Sequence, residues 1–491
     1  MPTSAIDMKN MVVKPLQTLR PFVPIVALLF VSALSGCSIF TIDTMRNEPL
    51  PPSSSIPPQR TKASETIEHL PNDVFIGIAM SGGGSRATNF AAAVLLELQK
   101  LGILQHTAVI SSVSGSSLAA AYYGLYGARE QQWNESAIRK QFRKNFENVW
   151  FTSWFFPWNV ARYWTSNFSR SDIMIQVLDN ELFDGKSFKD FNPVDTPKIL
   201  INATSYTSGR NFVFSDEYFA AQLNSRLDTY PIANAIMASS AFPGAFHDVT
   251  LKDYAIKNRE LAEVELGTYT QNYEHLIDGG PSDNLGITAI KRVLKKLYRS
   301  ADKPKPKPKS CFLFVIDAYP YREDTESIQQ ADTRHWYDFF FDTNVANSSD
   351  VLLSSRRVDL MKELGLSLVA SNLTPFKVSQ IAYDEPDEQC IRCHIWHLSF
   401  QRMYATSFDM AVGSPENQQL LHNARRVVNS VPTRYKLDSV QGYSPETVQD
   451  YLFKVANILV KQDRIQPSGK LIYREVCDRM KESGLNDLTC D

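Results

Sequence analysis

The chain turns sharply twice in quick succession. Ser-Gly-Gly-Gly-Ser-Arg at residues 81–86 follows the apolar run Val74–Ala79 and opens onto a helix-forming stretch. Ile-Ser-Ser-Val-Ser-Gly-Ser at 110–116 follows a second apolar run and opens onto a small-residue helix. Two consecutive strand–turn–helix corners predict an α/β fold, and they place both turns at the carboxyl ends of strands, where sites in such sheets form. One corner offers main-chain N–H groups and the other a serine hydroxyl. Acyl transfer needs that pair: donors for a developing oxyanion and a nucleophile on a tight turn.

The rest of the pattern agrees. Ala108–Val113, Lys198–Ala203 and Cys311–Ala318 read as further buried strands, while Thr88–Lys100, Leu118–Tyr126, Pro231–Ala241 and Leu285–Tyr298 read as helices. The expected architecture is a layered, mostly parallel sheet flanked by helices. Ser444 and Pro445 start a packing helix to Gln462, with Val448, Leu452, Val455 and Leu459 on one face. Pro304–Lys309, with alternating prolines, reads as an exposed extended loop. A chain of 491 residues that is 43% apolar can bury a large core. Its net charge of −2 gives no electrostatic case for nucleic acid.

Residues 1–36 read as a targeting segment: Lys9, Lys14 and Arg20 precede the uncharged stretch Phe22–Leu34, which is short for a membrane span. Leu-Ser-Gly-Cys at 34–37 resembles the bacterial lipoprotein box. That resemblance implies cleavage before Cys37, lipidation of Cys37 and, with Ser38 next, outer-membrane retention. An ordinary signal peptide with an incidental cysteine is the alternative. Residues 37–72, with Pro-Pro-Ser-Ser-Ser-Ile-Pro-Pro at 51–58, are expected to be a flexible linker. Five cysteines follow Cys37. Cys311 lies in a strand and is expected to be the buried free thiol; pairing among Cys390, Cys393, Cys477 and Cys490 stays open.

Ser114 occupies the nucleophile position of a Gly-x-Ser-x-Gly elbow, although Ser112 and Ser116 stand where the glycines belong. A serine-rich helix cap is the plainer reading of the same residues. Gly82, Gly83 and Gly84 can turn consecutive N–H groups into one concavity at a helix start, suited to an oxyanion. Arg86 is a candidate for a substrate phosphate. A nucleotide-binding loop would want Lys-Ser/Thr at its end, which is missing here. Asp278, on the Asp-Gly-Gly turn at 278–280, is the candidate base, while Asp283 and Asn284 are expected to cap the next helix.

These motifs, with Met-Ala-Ser-Ser-Ala-Phe-Pro-Gly at 237–244, occur in the order that marks the patatin-like phospholipases. Gly-Gly-Gly-Ser-Arg-Ala and Ser-Gly-Ser resemble the cytosolic phospholipase branch. The likeness covers roughly residues 71–320, and more weakly continues to about 435. It implies a Ser114–Asp278 dyad, an oxyanion hole of Gly82, Gly83 and Gly84, and hydrolysis of membrane glycerophospholipid esters without a metal or other cofactor. The expected catalytic domain is 73–435, with a helical extension at 436–491 packed on it. Ser112 is the departure, and it keeps open a non-catalytic, lipid-binding envelope lipoprotein on the same fold. A histidine triad, drawing on His335, His394, His397 or His422, is a lesser alternative. No protein partner can be named.

Two segments stand apart. Cys390-Ile-Arg-Cys393-His394 has the spacing of c-type haem attachment, against the plainer reading of a disulfide or structural pair. Phe146–Phe168 holds Trp150, Trp154, Trp158 and Trp164, either a membrane-facing lid or an aromatic core beneath an insertion, with Pro157 breaking a helix.

Overall fold

Val74–Met80 (β1) and Val109–Val113 (β2) are buried along their whole length, and Lys198–Ser205 (β3) along nearly all of it. Strands so covered belong in the middle of a parallel sheet with helices on both faces. The computed structural model describes residues 45–51, 73–191, 196–255, 273–299, 308–320, 344–366, 375–381, 390–405, 408, 414–465 and 468–490. Asn211–Phe214 (β4), Val249–Lys252 (β5), Tyr273–Ile277 (β6), Ser310–Asp317 (β7), Phe376–Ile381 (β8) and Ile391–Ser399 (β9) complete a nine-stranded sheet. Its order is β8-β9-β7-β1-β2-β3-β6-β5, with β4 also paired to β3. The run β9-β7-β1-β2-β3 is parallel. The remaining strands pair antiparallel at its flanks.

Alternation along β1 divides the core in two. Ile76, Ile78 and Met80 join a cluster with helices Gly84–Lys100 (α1) and Ser116–Tyr126 (α2), which follow the two corners. Beyond them come Phe146–Ser153 (α3), Pro157–Thr165 (α4), Arg170–Leu178 (α5) and Ile232–Ser240 (α6). Phe75 and Ala79 face the opposite cluster, with Ile287–Arg299 (α7) and Asn344–Glu363 (α8). Pro415–Asn429 (α9), Pro445–Lys461 (α10) and Ile472–Glu482 (α11) close the first cluster, α10 lying against α1. The first cluster therefore runs from β1 to α11.

The cysteines differ from expectation. Cys311 is not a free thiol: it is bonded to Cys393, which stands directly opposite it across the parallel pair β7–β9. Register between distant strands decided this, and no local pattern announces it. Cys477 pairs with Cys490, leaving Cys390 free and exposed. With Cys393 engaged and the His394 ring stacked on Phe312 and Phe376, the Cys-x-x-Cys-His run is a structural strand start rather than a haem site.

Part of the expected linker is pinned. Glu48–Pro49 pairs with Ser225–Arg226, and Asn47 Nδ2 donates to the Lys252 carbonyl at 2.8 Å. Residues 1–36, Cys37, Pro304–Lys307 and His335 lie outside the described residues. Among the described residues no helix is long and apolar enough to cross a membrane.

Candidate active site

β2 ends at Val113 and α2 starts at Ser116, leaving Ser114 and Gly115 to make the turn. Ser114 sits at φ 53°, a left-handed conformation that a serine keeps only when its surroundings enforce it. They do. Its N–H donates to Ser239 Oγ at 2.8 Å, and Ser239 donates onward to the Asn202 carbonyl at 2.6 Å. Ser116 Oγ lies 2.9 Å from the carbonyls of both Met80 and Val113, fastening the helix start to β1.

The serine at 112 has a physical account. It is fully buried, with its hydroxyl directed at the Leu200 carbonyl, 3.3 Å away. The tight approach falls instead at Gly115, where a Cβ would stand 2.1 Å from the Gly84 carbonyl oxygen. The room that the elbow needs is supplied beside the serine.

Asp278 follows β6 and is 5% exposed. Its main-chain N–H donates to the Ala241 carbonyl at 3.0 Å, and the Gly280 N–H donates to its Oδ1 at 2.8 Å. A Cβ at Gly279 would lie 2.4 Å from the Asn202 carbonyl, and one at Gly280 2.3 Å from Leu353 Cδ2. Gly279 is sterically required, since main chain stands in the way, whereas a Cβ at Gly280 would have to displace the end of the Leu353 side chain. Ser114 and Asp278 line the same cavity, and the serine side chain favours the ionised carboxyl. Burial pushes this carboxyl up to about 6, with the Gly280 N–H and Ser114 pulling the other way. Asp283 caps α7 as expected, accepting from the N–H groups of Leu285 and Gly286 at 3.0 and 2.8 Å.

The glycine loop divides differently from expectation. Gly82 spends its N–H on the Asn284 carbonyl at 3.2 Å, so it is not available as an oxyanion donor. Gly83 and Gly84, at φ 138° and 57°, line the cavity that holds Ser114 and Asp278, and so does Gly115. The N–H after the nucleophile is a usual oxyanion donor, so Gly115 was readable from its place next to Ser114. Arg86, expected to meet a phosphate, donates from Nε to the Ala318 carbonyl at 2.9 Å and from Nη1 to the Val431 carbonyl. It joins the loop to two distant segments and lies beneath Gly83.

The cavity has a volume of about 610 Å³ and is mainly apolar, with Leu118, Trp150, Phe242, Phe246 and Leu353 in its walls. Residues 429–435 form one wall that no motif announced. Tyr435 donates its hydroxyl to the Ser240 carbonyl at 3.1 Å. No histidine lines the cavity among the described residues. His397 instead meets Asp317, Nε2 to Oδ2 at 3.0 Å, and Arg357 also pairs with that carboxylate. These contacts, the Arg357 charge foremost, hold Asp317 well below the usual carboxylate range despite its burial.

Residues 78–290 match the family model of the patatin-like phospholipases. The chain carries a patatin-like phospholipase domain. Human GIVD cytosolic phospholipase A2, solved with methyl gamma-linolenyl fluorophosphonate and terbium chloride, is a structural neighbour at 15% identity and TM-score 0.45. That alignment covers 86% of this chain and 63% of the human one, so this chain spans less than two thirds of that enzyme. VipD from Legionella pneumophila aligns at 10% identity and TM-score 0.25, over 79% of this chain and 67% of that one. No curated protein matches the chain. The patatin-like domain contains both corners and Asp278. The cavity wall at 429–435 lies outside it.

Proposed function

We propose that this protein hydrolyses acyl ester bonds of membrane glycerophospholipids, with Ser114 as nucleophile and Asp278 as its base. The observation that carries the reading is Ser114 on a left-handed turn, lining one mainly apolar cavity together with the buried carboxylate of Asp278. Asp278 takes the hydroxyl proton as Ser114 Oγ attacks the ester carbonyl carbon. The carbonyl oxygen becomes an oxyanion facing the N–H groups of Gly83, Gly84 and Gly115. Collapse expels the lysophospholipid alkoxide, which takes the proton from Asp278 and leaves an acyl-Ser114 ester. Water, deprotonated by Asp278, then releases the fatty acid and restores the serine. Gly115 favours this over a non-catalytic, lipid-binding scaffold, because it supplies the room that Ser112 withholds.

The same reading tethers the chain through a lipidated Cys37 to the outer membrane of a bacterial envelope, where its substrate lies. Labelling with a fluorophosphonate tests the chemistry: one adduct at Ser114, absent in Ser114→Ala, together with fatty-acid release from defined phospholipids. Undiminished release by Ser114→Ala would overturn it.

A further inference from the structure

Large apolar side chains are rarely left in water in clusters. Here Phe151, Phe155, Phe156, Trp158, Tyr163 and Trp164 are all exposed, Phe155 at 69% and Trp164 at 72%, and all belong to α3, α4 and their junction. Elsewhere among the described residues the exposed large apolar side chains are Tyr206, Tyr273 and Val378. From Asn148 to Ser171 the chain has two arginines and no acidic residue. Arg170 lies over the Trp154 ring at 5.8 Å and Arg162 over Phe168 at 5.6 Å. Aromatic side chains flanked by cations fit the interfacial zone of a bilayer, where rings enter the headgroup layer and cations meet phosphates.

The patch is continuous with the cavity. Trp154 packs on Trp150 at 4.9 Å, Trp150 on Phe246 at 5.0 Å, and Phe246 on Tyr435 at 5.3 Å. Trp150, Phe246 and Tyr435 all line the cavity with Ser114. Trp150 is fixed by its Nε1, which donates to the Arg170 carbonyl at 2.9 Å at the start of α5. Arg46, on the pinned N-terminal strap, stands within electrostatic reach of Asp172 in that same first turn. Cys37 precedes Met45 by eight residues, about 27 Å of extended chain.

We propose that the exposed face of α3 and α4 docks on the surface of a phospholipid bilayer, and that the ring series Trp154–Trp150–Phe246–Tyr435 is the route by which a lipid acyl chain reaches the cavity. This deepens the hydrolase reading and rests on it for the route, though not for the docking. The test uses the full chain with Cys37→Ser, so that no acyl anchor supplies binding. It is floated with vesicles of phosphatidylethanolamine and phosphatidylglycerol beside the same chain carrying Phe155→Asp, Trp158→Asp and Trp164→Asp, none of which lines the cavity. Docking predicts at least about tenfold weaker partition for the triple variant. It also predicts quenching of the parent's tryptophan emission by lipids brominated on their acyl chains, and unchanged turnover of a short soluble ester. Equal partition, or unquenched emission, overturns the proposal. Trp164→Asp alone must also weaken partition. If it does not, and the triple variant loses the soluble ester as well, the loss is one of fold and the docking face is refuted. Partition is read without turnover, so a protein that binds through these residues yet hydrolyses nothing sinks the hydrolase reading alone.

Discussion

Asp278 carries its charge largely out of water, and the same burial that makes it a stronger base makes its ionised form costly to the fold. Its carboxyl titrates near 6 in the folded chain, against 3.8 for an ordinary aspartate. The folded state thus holds the proton more tightly than the unfolded one. Stability from this group is complete at low pH and is lost as pH rises through about 6. Activity runs the other way, since the base must be ionised. On soluble ester, kcat/KM should climb about tenfold per pH unit below 6 and then level off. Asp278→Asn should lower turnover by about 10²–10⁴-fold and raise Tm above pH 6, with the gain fading towards pH 4. Thermal melts of both proteins at several pH values check the sign; a variant melting lower than wild type at pH 7.5 would contradict it.

Between elements, the site is assembled by contacts that cross most of the chain. Arg357 on α8 holds the Asp317 carboxylate at the end of β7, and Arg356 beside it donates to the Ser282 carbonyl at 2.9 Å, just past the Asp-Gly-Gly turn. Removing one member of such a buried pair strands the other, so Arg357→Ala should lower stability by about 3–5 kcal/mol in urea titrations. Because pairing depresses the Asp317 carboxyl, its contribution is present at neutral pH and disappears on acidification. What could be read in advance follows from the same physics. β1, β2, β3 and β7 are buried on both faces and announce themselves as apolar runs. β5 and β6 are short and half-buried, so their residues carry no such signal. Ser114 and Asp278 sit on turns with strong local chemistry. Pro432 and Arg434 reach the cavity only through tertiary closure, and the fates of Gly82 and Arg86 turned on carbonyl acceptors hundreds of residues away in the chain.

At the scale of the whole molecule, two disulfides among the described residues set the conditions under which it lasts. The Cys477–Cys490 bond closes a loop of 13 residues, and in an entropic account its loss costs about 3 kcal/mol. Cys477→Ser should therefore shift the unfolding midpoint downward, and reduction of the wild type should match that shift while Cys311–Cys393 stays closed and exceed it once that bond opens. The proposed lipidation predicts that labelled palmitate enters the protein when it is expressed in a bacterium and fails to enter Cys37→Ser, which should leave the membrane fraction.

The segment at residues 431–436, which carries much of the cavity wall, gives the order of synthesis a meaning. Ser85 donates its N–H to the Arg434 carbonyl at 2.7 Å and its hydroxyl to the Lys436 carbonyl at 2.6 Å, while Arg86 takes the Val431 carbonyl. A nascent chain still emerging from the ribosome has Ser114 and Asp278 long before it has these supports. The candidate site is therefore completed late, once most of the 491 residues have been made.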